Sequence, residues 1–316
     1  MTTKPPRSDP GAGAPMKDWY DAAGVRGGTR RTFHRELEEG LVFFPPELVP
    51  YLAHEAVRTL PDSASRELTV RHLYQFLLSA TELETRVVNR GAELIAGNRL
   101  GFEVPRSHRL DAYKIYCDEG YHSLYSLDLA DQIATVTGIP IPRWDYGGFV
   151  EQLDLAAHTI LPDEPTLAHL LQTIVFETLI TAVLNEVPTN PGVVTAVRDV
   201  TRDHARDEGR HHRFFAGFFH LLWSQLEPAL RTRVGHALPP LIEACIAWDA
   251  APVRSSLLLA GLDEATADGV LRDVYGGTAT ASRIGAVAQA TRRMCESAGV
   301  LDLPAVRETF AVHGIE

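Results

Sequence analysis

At 316 residues, with 45% hydrophobic and 22% charged side chains, the chain has the composition of a soluble globular protein and length for one large domain or two small ones. A formal net charge of -11, with no long run of Lys and Arg, argues against nucleic acid or an anionic membrane as the main partner. Cys117, Cys245 and Cys295 are scattered, odd in number and outside any CxxC spacing, which argues against a disulfide framework or a zinc site and fits a reducing, cytoplasmic setting.

The opening "MTTKPPRSDPGAGAPMKDWY" has no apolar signal core and is rich in Pro, Gly and Ala, so residues 1–30 are expected to form a flexible tail ahead of a single domain over 31–316. No stretch approaches the roughly eighteen apolar residues of a membrane span. Apolar residues then recur at three and four positions, the helical period. A first helix is expected after "FPPEL", ending near Pro61; a second follows "DSAS" and runs to Gly97, and a third covers about Ser107 to Thr137. From Gly138 to Glu164, Pro and Gly interrupt the pattern and mark a crossover with one short helix. "TLAHLLQTIVFETLITAVLNEV" reads as one apolar helix, and another spans about Val193 to Leu226. Helical patterns in "GLDEATADGVLRDVYGG" and "TASRIGAVAQATRRMCESAG" add C-terminal cover. Two helical hairpins joined by a long crossover describe an all-α, ferritin-like four-helix bundle with additional N- and C-terminal helices.

The chemistry sits on those four helices. "DEGYH" at Asp118–His122 and "DEGRH" at Asp207–His211 each put a glutamate and a histidine on adjacent turns, so their side chains converge. Dinuclear bundle sites take one Glu from each of two helices and a Glu-x-x-His from each of the others. The chain supplies these in order: Glu82 or Glu84, then Glu119 with His122, then Glu177, then Glu208 with His211. Glu177 stands alone in an apolar helix, and a buried carboxylate without a cationic partner is costly. Four carboxylates would neutralise two divalent ions. Asp118 and Asp207 are suited to accept the free N–H of a metal-binding histidine and so fix its tautomer. His204 lies on the same stripe as Glu208 and His211 and offers a third imidazole.

"ETRVVN", "DEGYH", "FETLI" and "HARDEGRH", in that order, resemble the AurF-like diiron arylamine N-oxygenases, a family that includes p-aminobenzoate and chloramphenicol-pathway N-oxygenases. The resemblance implies two iron ions held by Glu84, Glu119, Glu177 and Glu208 together with His122, His204 and His211. It favours Glu84 over Glu82, which would lie about 160° around the helix. It further implies a monooxygenase that uses O2 to convert an amine, aromatic in that family, to a hydroxylamine, nitroso or nitro product in natural-product biosynthesis. One turn from these residues, Leu77, Thr81, Val88, Tyr116, Thr173, Ile180, Thr181 and Phe215 are the expected substrate walls, with Arg283 as a cationic contact for an acidic substrate. The substrate is expected to be a small or carrier-bound amine. Electrons are expected from an external reductase or ferredoxin, because the chain has no flavin, nicotinamide or iron–sulfur fingerprint. C–H hydroxylation or desaturation at the same centre is the rival reaction, and non-catalytic iron binding a third reading. Homodimerisation stays open.

Overall fold

The computed structural model describes residues 14–34, 40–179, 182–247, 249–276 and 284–315. Among them the fold is all-α; the sole extended pairing is an isolated bridge between Val42 and Val193. In chain order the helices are α1 (Trp19–Ala22), α2 (Gly24–Gly27), α3 (Glu55–Arg58), α4 (Asp62–Leu83), α5 (Asn89–Ala96), α6 (Arg106–Thr137), α7 (Gly148–Ile160), α8 (Pro165–Thr178), α9 (Ala182–Glu186), α10 (Thr195–Gln225), α11 (Pro228–Ile246), α12 (Ala251–Leu259), α13 (Glu264–Tyr275), α14 (Gln289–Ser297) and α15 (Pro304–Val312).

Four rods form the bundle. The α4–α5 rod packs on α6, α6 on α10, α10 on α8, and α8 on α5, which closes the ring. The stretch between α6 and α8 is the crossover that Pro and Gly announced; α6 stops at Gly138, whose φ of 73° is the left-handed turn that glycine enters without a Cβ penalty. The one short helix of the crossover is α7, which packs on α8 and α11. This is the ferritin-like connectivity that the spacing of the elements predicts.

The apolar core comes in two blocks with a polar layer between them. One block takes Leu68, Leu73 and Leu77 from α4, Leu129 and Ile133 from α6, and Val197 and Val200 from α10. The other takes Ala92 and Ile95 from α5, Ala112 and Ile115 from α6, Leu170, Ile174 and Val175 from α8, and Phe214, Phe215, Phe218 and Phe219 from α10. On each rod that contributes to both, the change falls at the same level: around Glu84, around Glu119 and His122, and between His204 and His211. The helices therefore bury their ionisable groups at a single height, sealed above and below by hydrocarbon.

Three expectations change. Residues 14–30 are not a free tail: Met16 is fully buried, Trp19 and Ala23 are nearly so, and Lys114 Nζ donates to Met16 O at 3.1 Å. A composition of Pro, Gly and Ala predicted disorder, but a few large apolar anchors suffice to dock a short segment on a bundle already formed. Residues 1–13 lie outside the described ones. The helix expected up to Pro61 is instead a run of short pieces, the 3-10 turns Pro46–Leu48 and Pro50–Ala53 followed by α3. The long apolar helix carrying Glu177 ends at Thr178, and α9 resumes the helix at Ala182.

The α4–α5 rod also contains a feature that periodicity does not mark. Residues Glu84–Val88 form one turn of π-helix, so the ladder shifts register where Glu84 turns inward. Thr173 Oγ1 on α8 donates to Val87 O at 2.9 Å and steadies that turn. The contact is close because Gly91 has no side chain: a Cβ there would run into Thr173.

Candidate metal centre

Seven side chains meet in the polar layer. Glu84, His122 and His204 each offer one ligand-type atom, and these atoms lie within 4.8 Å of one another; Glu119, Glu177, Glu208 and His211 do the same. Six of the seven are buried and Glu208 is partly so, with a side chain 20% exposed. Glu82, two residues from Glu84, points outward and pairs with Arg86.

The two groups share edges. Glu119 presents Oε2 to His122 Nδ1 at 3.2 Å and Oε1 to His211 Nδ1 at 2.7 Å, one oxygen toward each group. Glu208 Oε1 lies 3.2 Å from His204 Nε2 and 3.5 Å from both His122 Nδ1 and His211 Nδ1. Glu84 faces His204 at 3.1 Å, and Glu177 Oε2 lies 3.9 Å from His211 Nδ1. Two carboxylates thus stand between the groups, while Glu84 and Glu177 stand at opposite ends.

The histidines of the two repeats, His122 and His211, are each held from behind by an aspartate of the other helix. His122 Nε2, on α6, lies 3.2 Å from Asp207 Oδ2 on α10, and His211 Nε2, on α10, lies 3.1 Å from Asp118 Oδ2 on α6. A carboxylate at Nε2 favours the tautomer protonated there, which leaves the Nδ1 lone pair facing inward. Reading the sequence anticipated an aspartate behind a histidine. It did not foresee that the two repeats exchange them.

The N-terminal segment reaches both aspartates. Trp19 Nε1 donates to Asp118 Oδ1 and Oδ2 at 2.9 and 2.8 Å, and the amide of Gly24 donates to Asp207 Oδ2 at 3.3 Å. Arg210, itself buried, donates to Asp207 Oδ1. Ser123 Oγ completes the surround, 3.4 Å from Glu84 Oε2 and 2.9 Å from Glu119 O. None of these four was singled out from the sequence; the helical phase of Ser123, one residue past His122 and four past Glu119, was the available signal for that residue.

Several polar atoms in the layer lack partners. Glu119 Oε1, Glu177 Oε2 and His211 Nδ1 are buried without a hydrogen bond, although the first and last are only 2.7 Å apart. Atoms so close yet not aligned as donor and acceptor are arranged to face a common third body. The electrostatics agree. Burial, reinforced by Glu208 and Glu119, drives the Glu177 carboxyl well above the usual range. Burial alone would lower the histidines, but Glu119 and its neighbours outweigh it and hold His122 and His211 well above 6.5; Glu84 and Glu208 likewise help to raise His204 to about 9. The layer demands positive charge, and two divalent cations would supply it in place of protons. The donor set of carboxylate and imidazole suits iron, manganese or zinc.

The expected substrate walls scatter. Leu77, Val88 and Phe215 are buried in the apolar blocks flanking the layer, and Thr81 is half-buried with its hydroxyl bonded to Leu77 O. Thr173 commits its hydroxyl to Val87 O and His169 O. Tyr116 is corrected outright: it follows buried Ile115 by one residue, hence about 100° around α6, and is 46% exposed on the outer face. Ile180, Thr181 and Arg283 lie outside the described residues.

A helical bundle with two adjoining carboxylate–imidazole groups on four rods defines the ferritin-like class of dinuclear metalloproteins. Within that class, the chain belongs to the family described as p-aminobenzoate N-oxygenase AurF, whose family model matches residues 34–299. No curated protein matches the chain closely. Membership makes it an oxygenase-family protein of the diiron type. Among the described residues no helix is long and apolar enough to cross a membrane.

Proposed function

We propose that this protein is a diiron N-oxygenase that uses O2 to oxidise an aromatic amine to the hydroxylamine, nitroso or nitro compound in a biosynthetic pathway. The observation that carries the proposal is the position of Glu119, whose two oxygens face histidines of different groups, as a carboxylate shared by two ions would. In this reading Glu84, His122 and His204 would hold one iron and Glu177 and His211 the other, with Glu119 and Glu208 available to both groups. Bound there, the irons supply reduction of O2 and delivery of oxygen to the amine nitrogen.

The chain's own residues prepare the site. Asp118 and Asp207 keep the Nε2 protons of His211 and His122 and aim the Nδ1 lone pairs inward. The flanking apolar blocks exclude bulk water, so an amine reaching the layer is favoured as the neutral base with its lone pair free. Glu208 is the most open of the seven side chains, which supports an approach over α10. Arg90 is engaged by Asp154 and Gln172, and Arg210 by Asp207. Among the described residues this favours an arylamine whose acid group is absent or masked, as on a carrier, over a free aminobenzoate. An external reductase or ferredoxin provides electrons.

The test is iron reconstitution followed by product mass spectrometry with the reduced protein, O2 and a panel of arylamines. Two irons per chain and oxidised-nitrogen products are expected. A single zinc with no capacity for a second metal overturns the dinuclear reading, and exclusive C-hydroxylated or desaturated products transfer the assignment to the rival oxygenase reaction.

A further inference from the structure

Trp19 joins the metal layer to the surface. The indole is nearly buried, and its Nε1 lies 2.9 and 2.8 Å from the two oxygens of Asp118, so one proton is shared by the whole carboxylate. Asp118 Oδ2 also meets His211 Nε2 at 3.1 Å, and His211 belongs to the Glu119, Glu177 and Glu208 group. An unbroken run of hydrogen bonds thus connects the indole to a candidate iron ligand. Outward, the Tyr20 ring stands edge-on to Trp19 with 5.2 Å between centroids, and Tyr20 is 62% exposed. Lys114 Nζ and Arg26 Cζ lie 5.4 and 5.9 Å from the Tyr20 ring and hold it there. One oxidisable ring is bonded to the layer, and the next touches solvent.

A second run of rings beside the layer lacks one requirement. The Tyr125 ring lies 5.4 Å from that of His122 and 6.1 Å from that of His204, and Tyr121 follows at 5.3 Å. Yet the Tyr125 hydroxyl is buried without a hydrogen-bond partner. A phenol or indole that gives up an electron must also shed its proton, and no base among the described residues stands ready to take that of Tyr125. Trp19 meets both conditions, since Asp118 already accepts from its Nε1.

We propose, on the diiron reading given above, that Trp19 and Tyr20 form a discharge route that carries electrons to the metal centre when O2 is reduced there without an amine to oxidise. Full reduction of O2 takes four electrons. The two ferrous ions supply two, and the amine nitrogen supplies the other two as it is oxidised; without amine, that second pair must come from elsewhere. In each passage Trp19 loses one electron by way of Asp118 and His211 and leaves its Nε1 proton on Asp118. Tyr20 refills the indole, the proton returns from Asp118 to Nε1, and the phenolic proton passes to water. A thiol in solution then restores Tyr20 by giving up a hydrogen atom. Two passages close the balance: O2, two ferrous ions, two thiols and two protons become two waters, two ferric ions and one disulfide. The route spares the ligand-type side chains from oxidation.

The test loads the full chain with ferrous iron and mixes it with O2 in the absence of amine and thiol. Freeze-quench electron paramagnetic resonance reads the radical, and peptide mass spectrometry after repeated cycles reads where oxygen has been added. Variants are compared at equal iron content, fixed by elemental analysis, because Trp19→Phe is expected to weaken metal binding. The wild type should give a tryptophan or tyrosine radical and gain oxygen on the peptide that contains Trp19 and Tyr20. Tyr20→Phe, which alters an exposed side chain, should confine the radical to Trp19 and lengthen its life. Trp19→Phe should lose the radical and shift oxidation to the peptides carrying His122 and His211, whereas Tyr125→Phe should behave as the wild type. O2 consumption with neither radical nor oxidised N-terminal peptide overturns the proposal, as does an unchanged radical in Trp19→Phe or its loss in Tyr125→Phe. Iron-loaded protein that leaves O2 untouched overturns the diiron reading itself, and the route with it.

Discussion

Trp19→Phe removes one N–H and leaves most of the apolar bulk. In the wild type that N–H is shared between both oxygens of Asp118, at 2.9 and 2.8 Å, and Asp118 is fully buried. A hydrogen bond to a charged group contributes about 1.5–3 kcal/mol, and complete burial of the acceptor places this one toward the upper part of that range. The remaining side-chain partner of Asp118 is His211 Nε2 at 3.1 Å, so a carboxylate freed on one side reorients and takes the imidazole with it. Losing such an outer contact lowers metal affinity by about 10–100-fold. Two measurements follow: urea unfolding of the metal-free protein, with a loss of about 2 kcal/mol expected, and iron titration, with one of the two binding steps weakened. Asp118→Asn alone and combined with Trp19→Phe completes a cycle in which the double variant should be less damaged than the sum. If Trp19→Phe changes neither stability nor iron binding, the N-terminal segment merely rests on the bundle and the reasoning fails.

Neighbouring acids on the first rod should separate cleanly: Glu84→Ala is expected to lower iron occupancy or abolish O2 reactivity, whereas Glu82→Ala, which loses only an exposed pair with Arg86, should alter neither, as elemental analysis and O2 uptake would show. Gly91→Ala should destabilise by about 1–3 kcal/mol because the added methyl runs into Thr173, and Thr173→Ala in the same chain should recover part of that loss in thermal unfolding. His72, buried against Phe44 and Tyr51, is lowered by burial from 6.5 to about 4. Above pH 6.5 it is neutral whether folded or unfolded and adds no slope; between 6.5 and 4 only the unfolded chain takes up the proton, so stability is lost as pH falls, by up to about 3 kcal/mol. His72→Phe should flatten that part of the pH–stability curve, and equal slopes in both proteins would contradict the assignment.

What could be read in the sequence follows the range of the forces involved. The lone Glu177 is legible because it stands in an apolar helix, where the cost of burying it demands a partner, and the two DEGxH repeats because the same convergent acid–imidazole spacing recurs. The bundle connectivity is legible because Pro and Gly between α6 and α8 break a period that is otherwise long. The end of α8 is not, because "LITAVL" keeps a helical pattern through the break that follows Thr178. The π-turn at Glu84–Val88 is equally silent, since its support, Thr173 Oγ1, comes from another helix 86 residues away. Trp19 misled for a related reason: composition reports how a segment behaves alone, whereas Trp19 earns its order from Asp118, 99 residues downstream. Tyr116 lies one turn before Glu119, but a three-residue step leaves about 60° between the two side chains, enough at this edge of the helix to turn the ring outward.

Writing the acidic pair twice has a geometric cause. On a helix, an aspartate immediately before a glutamate points about 100° away from it. With Glu119 and Glu208 turned to the bundle interior, where Glu177 of α8 joins them, a step of about 100° can direct Asp118 and Asp207 sideways to the neighbouring helix of the α6–α10 pair. Each meets the histidine of the other repeat there. Neither histidine is oriented until both helices are docked, and both aspartates are tied down by one short segment, through Trp19 and the amide of Gly24. Glycine suits the second point, since a Cβ at position 24 would sit 3.0 Å from Asp207 Oδ2 and oblige that carboxylate to give by a few tenths of an ångström. Assembly of the site is thus coupled to assembly of the bundle. A single repeat with its own aspartate would orient a histidine without reference to the partner helix, and the tautomer of that imidazole would no longer report that the second group of ligand-type residues had arrived.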